Sequence, residues 1–104
     1  MEPHPYNYVF MPLAEQDLND IFDYISLELA SPEAAEQLID KIQCEVERVC
    51  EFPFSRPLLT DKILHSKGYR LIVVNNFNLF YIIKNRTILI QRVLYGRRNY
   101  EALL

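Results

Sequence analysis

Hydrophobic and polar positions follow two helical stripes in the first half of this chain and a strand-like pattern at its start. Residues 6–11 alternate well enough to predict a first strand, which Pro12 closes. Apolar residues then recur every three or four positions, as on an amphipathic helix, and a second such stripe follows Ser31-Pro32-Glu33, an N-cap signal. The stripes are Leu18, Ile21, Phe22, Ile25 and Leu29, then Ala35, Leu38, Ile39, Ile42, Val46 and Val49. We predict an antiparallel helical hairpin.

Three β-rich runs follow Gly68, at residues 69–74, 77–83 and 88–95, and short loops separate them. Such loops force neighbouring strands to be antiparallel. Residues 53–68 show no period and are interpreted as a connecting loop. The prediction is a single α+β domain over residues 1–104: an N-terminal strand, a two-helix antiparallel hairpin, then a three-stranded antiparallel meander. We expect a twisted antiparallel sheet with both helices on one face.

Composition places the chain among ordered globular domains, because 50% of its 104 residues are hydrophobic and 24% are charged. No apolar run approaches the ~20 residues that span a bilayer, and the first residues do not resemble a signal peptide. Cys44 and Cys50 point in different directions on one helix, so both are expected to be buried thiols. A cytoplasmic location without membrane contact is the expectation.

Charge is divided unevenly along the chain. Residues 1–60 carry twelve acidic and three basic side chains, a net charge of −9, and residues 61–104 carry two acidic and eight basic ones, a net charge of +6. Such a split favours an acidic or polyanionic partner for the second half. The helices' ordinary preference for Glu and Asp explains the composition equally well.

Four strings, in order, resemble the RelE/ParE superfamily of toxins from type II toxin–antitoxin systems, and the resemblance spans almost the whole chain. They are Pro12-Leu13-Ala14-Glu15-Gln16-Asp17-Leu18, Ser31-Pro32-Glu33-Ala34-Ala35 with Phe52-Pro53, Gly68-Tyr69-Arg70 with Asn78-Leu79-Phe80-Tyr81, and Arg92-Val93-Leu94-Tyr95-Gly96-Arg97-Arg98-Asn99-Tyr100. The resemblance implies the β-α-α-β-β-β order. It also implies a cognate antitoxin, which supplies any contact with DNA.

The resemblance implies one of two targets: DNA gyrase, as in the ParE-like branch, or mRNA cut on the ribosome, as in the RelE-like branch. Metal-free RNA cleavage needs a proton acceptor, cations against the developing charge and a proton donor. The resemblance implies that Arg70 and Arg98 stand at family positions for these roles and that Tyr100 approximates the family tyrosine, although it comes earlier in the chain. These three are the candidate catalytic residues. Ile72 and Asn78 stand where RelE-like nucleases have a lysine and an arginine, which favours gyrase. Arg92, Arg97 and Arg98 are the candidate residues for binding a partner or nucleic acid.

Other chemistry finds little support in the sequence. His4 and His65 have no partner at a useful spacing, and no ligand pairs predict a metal site or a cofactor. Tyr69 and Tyr81 are interpreted as core residues, and Arg70 is alternatively a charge that protects a sheet edge. The alternative function is a non-toxic family member that acts only as an antitoxin-binding module or co-repressor.

Overall fold

The computed structural model describes residues 6–96 and 103–104, and it has the predicted order of strands and main helices. A π-helical turn extends α1, and a short third helix follows α2 within the segment that was predicted to be loop. The elements are β1 (Asn7–Phe10), α1 (Pro12–Asp23), the π-helical turn (Tyr24–Glu28), α2 (Pro32–Glu51), α3 (Lys62–Ser66), β2 (Arg70–Val74), β3 (Phe77–Lys84) and β4 (Thr87–Tyr95).

Proline begins both long helices, where its missing N–H removes no intrahelical hydrogen bond. Ser31 occupies the predicted N-cap position of α2, but its side chain makes no capping hydrogen bond. In α3, the Asp61 carboxylate accepts a hydrogen bond from the Leu64 amide at 3.0 Å, which caps that short helix. Within the described ranges, no helix is long and apolar enough to cross a membrane.

The four strands form one sheet in the order β1-β4-β3-β2. The predicted meander of β2, β3 and β4 is confirmed, since both of its pairings are antiparallel. The prediction of an antiparallel sheet throughout is wrong, because β1 pairs in parallel with β4. The helical hairpin separates β1 from the three strands of the meander along the chain. β1 pairs with β4 on the side away from β3, and no tight turn joins these two parallel strands.

The turn between β3 and β4 has two residues, Asn85 and Arg86, with φ of 52° and 57°. Both lie in the left-handed region, as a two-residue hairpin turn of the I′ type requires. The turn between β2 and β3 uses Asn75 at φ 53°, which agrees with the short loop predicted between residues 74 and 77.

A β-bulge in β4 decides which side chains face the helices. Phe80 pairs with Arg92 and Tyr81 pairs with Ile90, so Gln91 is the extra residue. A bulge shifts the alternation of a strand by one position. After it, Val93 enters the core under the helices, and Arg92 is turned away from that core.

The main core lies between the helical hairpin and one face of the sheet. Fully buried residues of both layers meet there, among them Ile42, Val46, Ile72, Tyr81 and Ile90. A second cluster of Leu59, Leu64, Tyr69, Phe80 and Leu94 covers part of the other face, beneath α3. Burying one such aliphatic or aromatic side chain stabilises the fold by about 1.5–3 kcal/mol. The predicted core positions of Tyr69 and Tyr81 are confirmed.

Asp17 connects α1 to the part of the β4 edge that lies beyond the pairing with β1. Its carboxylate accepts hydrogen bonds from the Arg92 Nε at 2.7 Å, the Arg92 Nη2 at 2.9 Å and the Val93 amide at 2.9 Å. The side chains of Arg92 and Asp17 are 17% and 13% exposed. Asp17 thus supplies the acceptor that a neighbouring strand would otherwise provide for the Val93 amide.

Replacing Asp17 is therefore expected to destabilise the protein. Asp17→Ala leaves a half-buried guanidinium and a backbone amide without an acceptor, so we expect a loss of roughly 2–3 kcal/mol of unfolding free energy. Urea titration followed by circular dichroism measures it. Asp20→Ala, which removes an exposed acid bonded to Gln16 within the same helix, is the matched control and should stay within about 0.5 kcal/mol of wild type. Equal losses in the two variants would contradict this role for Asp17.

Tyr81 gives the fold a defined response to alkaline pH. Its side chain is 0% exposed, its hydroxyl donates to the Pro53 carbonyl at 3.1 Å, and burial raises its pKa to about 12 against the lowering influence of Arg70 and Arg56. Because the folded pKa lies above the unfolded value near 10, the stabilisation is complete below pH 10 and is lost towards pH 12.

We expect Tyr81→Phe to lose roughly 1 kcal/mol at neutral pH, because the Pro53 carbonyl loses its donor. Between about pH 10 and pH 12 the unfolding free energy of wild type should fall more steeply with pH than that of Tyr81→Phe. The difference in unfolding free energy between the two proteins should therefore become smaller. Urea titrations across that range measure both slopes. Parallel curves would show that the buried hydroxyl does not titrate with unfolding.

Candidate functional site

Arg70 lies at the start of β2 and on the side of the sheet that faces the helices. It is paired with Tyr81, its Nη1 donates to the Arg56 carbonyl, and its guanidinium stacks 5.2 Å from the centre of the Phe54 ring. These contacts hold the chain that follows α2 against the sheet. The catalytic role of Arg70 stays a prediction. In this structure its guanidinium contacts Phe54 and the Arg56 carbonyl of that loop.

The Arg70–Phe54 contact continues towards β1. The rings of Phe54 and Tyr6 meet edge to face at 6.4 Å, and the Arg86 guanidinium lies 5.0 Å from the Tyr6 ring. Cation–ring and ring–ring contacts of this kind stabilise by about 0.5–1.5 kcal/mol each. Together they join the loop after α2, the start of β1 and the β3–β4 turn at one end of the sheet.

The two faces of β2 differ in chemistry. Arg70, Ile72 and Val74 face the helices, and Ile72, where RelE-like nucleases have a lysine, is fully buried. Leu71 and Val73 face the other way, and Val73 is 58% exposed. The alternation of β2 could have indicated this from the sequence, but it does not say which of the two sets faces the helices.

A groove of about 580 Å³ opens on that second face, and we call it the Asn78 groove. It is lined by Leu71, Val73, Asn75, Asn76, Asn78, Tyr95 and Gly96. Every one of these residues is neutral. The groove offers apolar surface and amide groups, which suits contact with a protein surface more than with phosphate.

Asn78 fixes the chain at the end of β4. Its Nδ2 donates to the Gly96 carbonyl at 2.8 Å, and the Gly96 amide donates to the Asn76 carbonyl at 2.8 Å. Gly96 has φ of 67°, a conformation that glycine adopts without strain. The position where RelE-like nucleases have an arginine is thus occupied by Asn78, whose side chain holds Gly96, the residue before Arg97.

Arg97, Arg98 and Tyr100 lie outside the described residues, so their predicted roles stay predictions. The segment that holds them follows Gly96, which lies beside the β2–β3 turn. Arg70 begins β2 and therefore lies about 13 Å from that turn, at the rise of ~3.3 Å per strand residue. The structure does not bring Arg70 to the point where the C-terminal arginines begin.

Arg92 is held by Asp17 and not presented freely to solvent. The hydrogen bond to Asp17, more than the charge of that carboxylate, raises the pKa of Arg92. Its predicted role in binding a partner stays a prediction, and the contact with α1 gives it a structural role that the sequence did not indicate. The pairing of Asp17 with Arg92 spans 75 positions of the chain.

One edge of β2 remains open for part of its length. Leu58 bridges to Arg70, and the Leu59 amide donates to the Tyr69 carbonyl at 2.9 Å, so the first residues of β2 are covered. Since alternate residues turn their backbone groups to the same side, Leu71 and Val73 face this edge as well. Among residues 6–96 and 103–104, no strand pairs with this edge beyond the Leu58 bridge.

A second groove, of about 420 Å³, follows this open edge on the helix side. Lys41 and Glu45 of α2 form one wall, and Leu71, Val73 and Asn75 form the other. The Lys41 Nζ donates to the Asn75 Oδ1 at 3.3 Å across its end. A strand laid along the edge of β2 would find backbone partners together with this groove.

Titratable side chains of the described residues do not assemble a metal site, since no group of three His, Cys, Asp or Glu is placed to hold an ion there. His65 is tied to the Leu59 carbonyl at 3.0 Å in the short helix α3. Cys50 is buried, and burial and the nearby Glu47 and Glu51 raise the pKa of its thiol. Cys44 is exposed, so the expectation that both cysteines are buried is wrong.

Comparison with known proteins agrees with this architecture. The family described as "ParE toxin of type II toxin-antitoxin system, parDE" matches residues 8–100. The fold is similar to a structure titled "Chromosomal ParDE TA system from P. aeruginosa", with a TM-score of 0.73 and 20% identity over 90% of this chain and 99% of that one. Comparison with curated proteins gave no match.

A second similar structure is the toxin–antitoxin complex RelBE2 from Mycobacterium tuberculosis, with a TM-score of 0.59 and 19% identity over 88% of this chain and 98% of that one. At such identities the structural likeness shows the fold, and the family match over residues 8–100 shows the membership. The chain belongs to the ParE toxin family of type II toxin–antitoxin systems, within the RelE/ParE superfamily.

Proposed function

We propose that this toxin arrests growth by inhibiting DNA gyrase and that a cognate antitoxin holds it inactive. The observation that carries the proposal is the neutral Asn78 groove beside the start of the basic C-terminal segment. A groove of apolar and amide side chains is suited to a protein target. Arg97 and Arg98 follow Gly96, which lines the groove, in the sequence.

RNA cleavage would require cations and a proton acceptor on the same face as the groove. Arg70 lies on the opposite face and holds the loop after α2. Arg92 is paired with Asp17, and Lys84 lies at the far end of β3. Among the residues that the structure describes, none therefore places a free cation at the Asn78 groove, which favours the gyrase target.

The open edge of β2 is the proposed docking place of the antitoxin. An added strand there would complete the backbone hydrogen bonds of Leu71 and Val73, while its side chains would enter the flanking grooves. The similar structure from M. tuberculosis is a toxin–antitoxin complex, which supports an antitoxin partner for this family member.

Expression in growing cells should arrest growth, and the purified protein should inhibit supercoiling of relaxed plasmid by gyrase. Ribosomes programmed with mRNA should give no cleavage in the presence of the protein, as measured by primer extension. Arg98→Ala should abolish the arrest while leaving antitoxin affinity within about tenfold, because this arginine belongs to the basic segment that follows Gly96 in the sequence.

Cleaved mRNA together with undisturbed supercoiling would replace the gyrase proposal by a ribosome-dependent nuclease. Normal growth under strong expression, with a tight antitoxin complex, would replace it by the non-toxic binding module. Undiminished arrest by the Arg98→Ala variant would remove Arg98 from the site.

Val73→Lys tests the edge of β2. The side chain is 58% exposed, so the fold should tolerate the change, but a solvated charge at the edge opposes docking of another strand. We expect the antitoxin to bind at least about tenfold more weakly by calorimetry. Ile63→Lys, at a 65% exposed position of α3, is the control and should bind normally. Wild-type affinity in the Val73 variant would refute docking at this edge.

A further inference from the structure

A turn directly after α2 exposes two phenylalanine rings. The Ser55 amide donates to the Phe52 carbonyl at 3.0 Å, so residues 52–55 form the turn. Phe52 is 65% exposed and Phe54 is 62% exposed. Neighbouring rings on an exposed turn place apolar surface in water, and such surface often marks a place where a partner binds.

Phe54 belongs to a row in which two aromatic rings lie between two guanidinium groups. Arg70 stacks on Phe54, Phe54 meets the Tyr6 ring edge to face, and Arg86 stacks on Tyr6. We call these four residues the Phe54 platform. Phe54 and Arg86 are exposed, and Tyr6 and Arg70 are half-buried. The four come from separate segments of the chain, so only the fold brings them together.

The backbone of Arg86 is strained. Arg86 is the second residue of the two-residue turn between β3 and β4, a position that glycine favours, and its φ is 57°. An arginine adopts this left-handed conformation only at a cost in free energy. The retained cost indicates a use for the side chain, whose guanidinium extends the Phe54 platform over the Tyr6 ring.

Positive charge accumulates at this end of the sheet. The exposed Lys84 ends β3 just before the turn that holds Arg86. The described hydrogen bond of the Arg70 guanidinium uses one N–H, to the Arg56 carbonyl, so other N–H groups can still meet an acceptor. Glu45, the acid that reaches this loop, is paired with Arg56 at 3.1 Å.

We propose that the Phe54 platform binds single-stranded DNA, with bases stacked on the exposed rings and phosphates beside the guanidinium groups. An unpaired base presents a flat face that an aromatic ring accepts whatever the sequence, whereas a duplex keeps those faces in its own stack. An acidic peptide has the charge but not the faces. The strand is DNA if the proposed function holds, since gyrase acts on DNA, and the inference rests on it in this respect.

The first test titrates the protein into a fluorescent dT oligonucleotide of about 12 nucleotides and follows anisotropy at about 0.05 M salt. The single strand should bind at least about fivefold more tightly than a duplex of the same length or a polyglutamate peptide of equal charge. Equal binding of the duplex or of the peptide would leave only electrostatic attraction and overturn the proposal. Absence of binding at about 100 µM protein would overturn it too. Tighter binding of the matching rU strand would overturn the assignment to DNA.

Phe54→Ala should weaken binding of the dT strand by about tenfold, because it removes a stacking ring. Phe54→Tyr keeps the ring and should bind within about twofold of wild type. Leu27→Ala, at a 75% exposed apolar position in the π-helical turn, is the control and should bind normally. A loss in Phe54→Tyr as large as in Phe54→Ala, or the same loss in Leu27→Ala, would contradict stacking on Phe54.

Arg86→Gly separates binding from folding. Glycine adopts the φ of this position without strain, so the melting temperature should stay within about 3 °C of wild type while the dT strand binds about fivefold more weakly. Lys62→Gln removes one positive charge from the exposed start of α3 and should change binding by less than about twofold. Wild-type affinity in Arg86→Gly, or an equal loss in Lys62→Gln, would remove Arg86 from the platform.

Gyrase inhibition separates this inference from the proposed function. A protein that binds the dT strand selectively but leaves supercoiling by gyrase undisturbed would refute the gyrase proposal and support the Phe54 platform. Inhibition of gyrase by a protein that shows no preference for the dT strand would refute the platform and leave the gyrase proposal intact.

Discussion

The architecture depends on the part of the β4 edge that β1 does not cover, because β1 ends at Phe10 and α1 begins at Pro12. The amide of Val93 loses its strand partner at that point, and the Asp17 carboxylate from α1 takes the place of one, together with the Arg92 guanidinium. A buried backbone donor without an acceptor would be costly, so this contact sets the position of the helical hairpin over the sheet. The bulge at Gln91 serves the same end, since it turns Arg92 out of the core and Val93 into it.

With the hairpin fixed on one face, the surfaces left for partners are the other face, the edge of β2 and the outside of the hairpin itself. Two of the basic residues that the structure describes in the second half, Arg70 and Arg92, are held by internal contacts. The Asn78 groove is lined by neutral residues, whereas a groove between α1 and α2 is lined in part by Glu36 and Asp40. These surfaces therefore differ in chemistry.

Much of the fold could be predicted from local patterns. The stripe of α2 placed Leu38, Ile42, Val46 and Val49 in the core, and all of them are buried. The Asn75-Asn76 turn and the short loop after β3 gave the antiparallel meander, because short connections leave no other geometry. The family resemblance supplied the toxin assignment, which the match over residues 8–100 supports. For the candidate site, residue types and positions could be predicted, but the roles of Arg97, Arg98 and Tyr100 remain predictions.

The sequence by itself determined the four strands, the two long helices, their order and the division of charge between the two halves, since these depend on the period of apolar residues and on residue types along the chain. The π-helical turn and α3 were not predicted. Tertiary structure alone decided the parallel pairing of β1, the burial of Asp17 against Arg92 and the side of β2 on which Arg70 lies. Each of these joins residues far apart in the chain or chooses between two faces of a strand. Local periodicity carries no information on either, because a strand pattern is the same whichever face the helices cover.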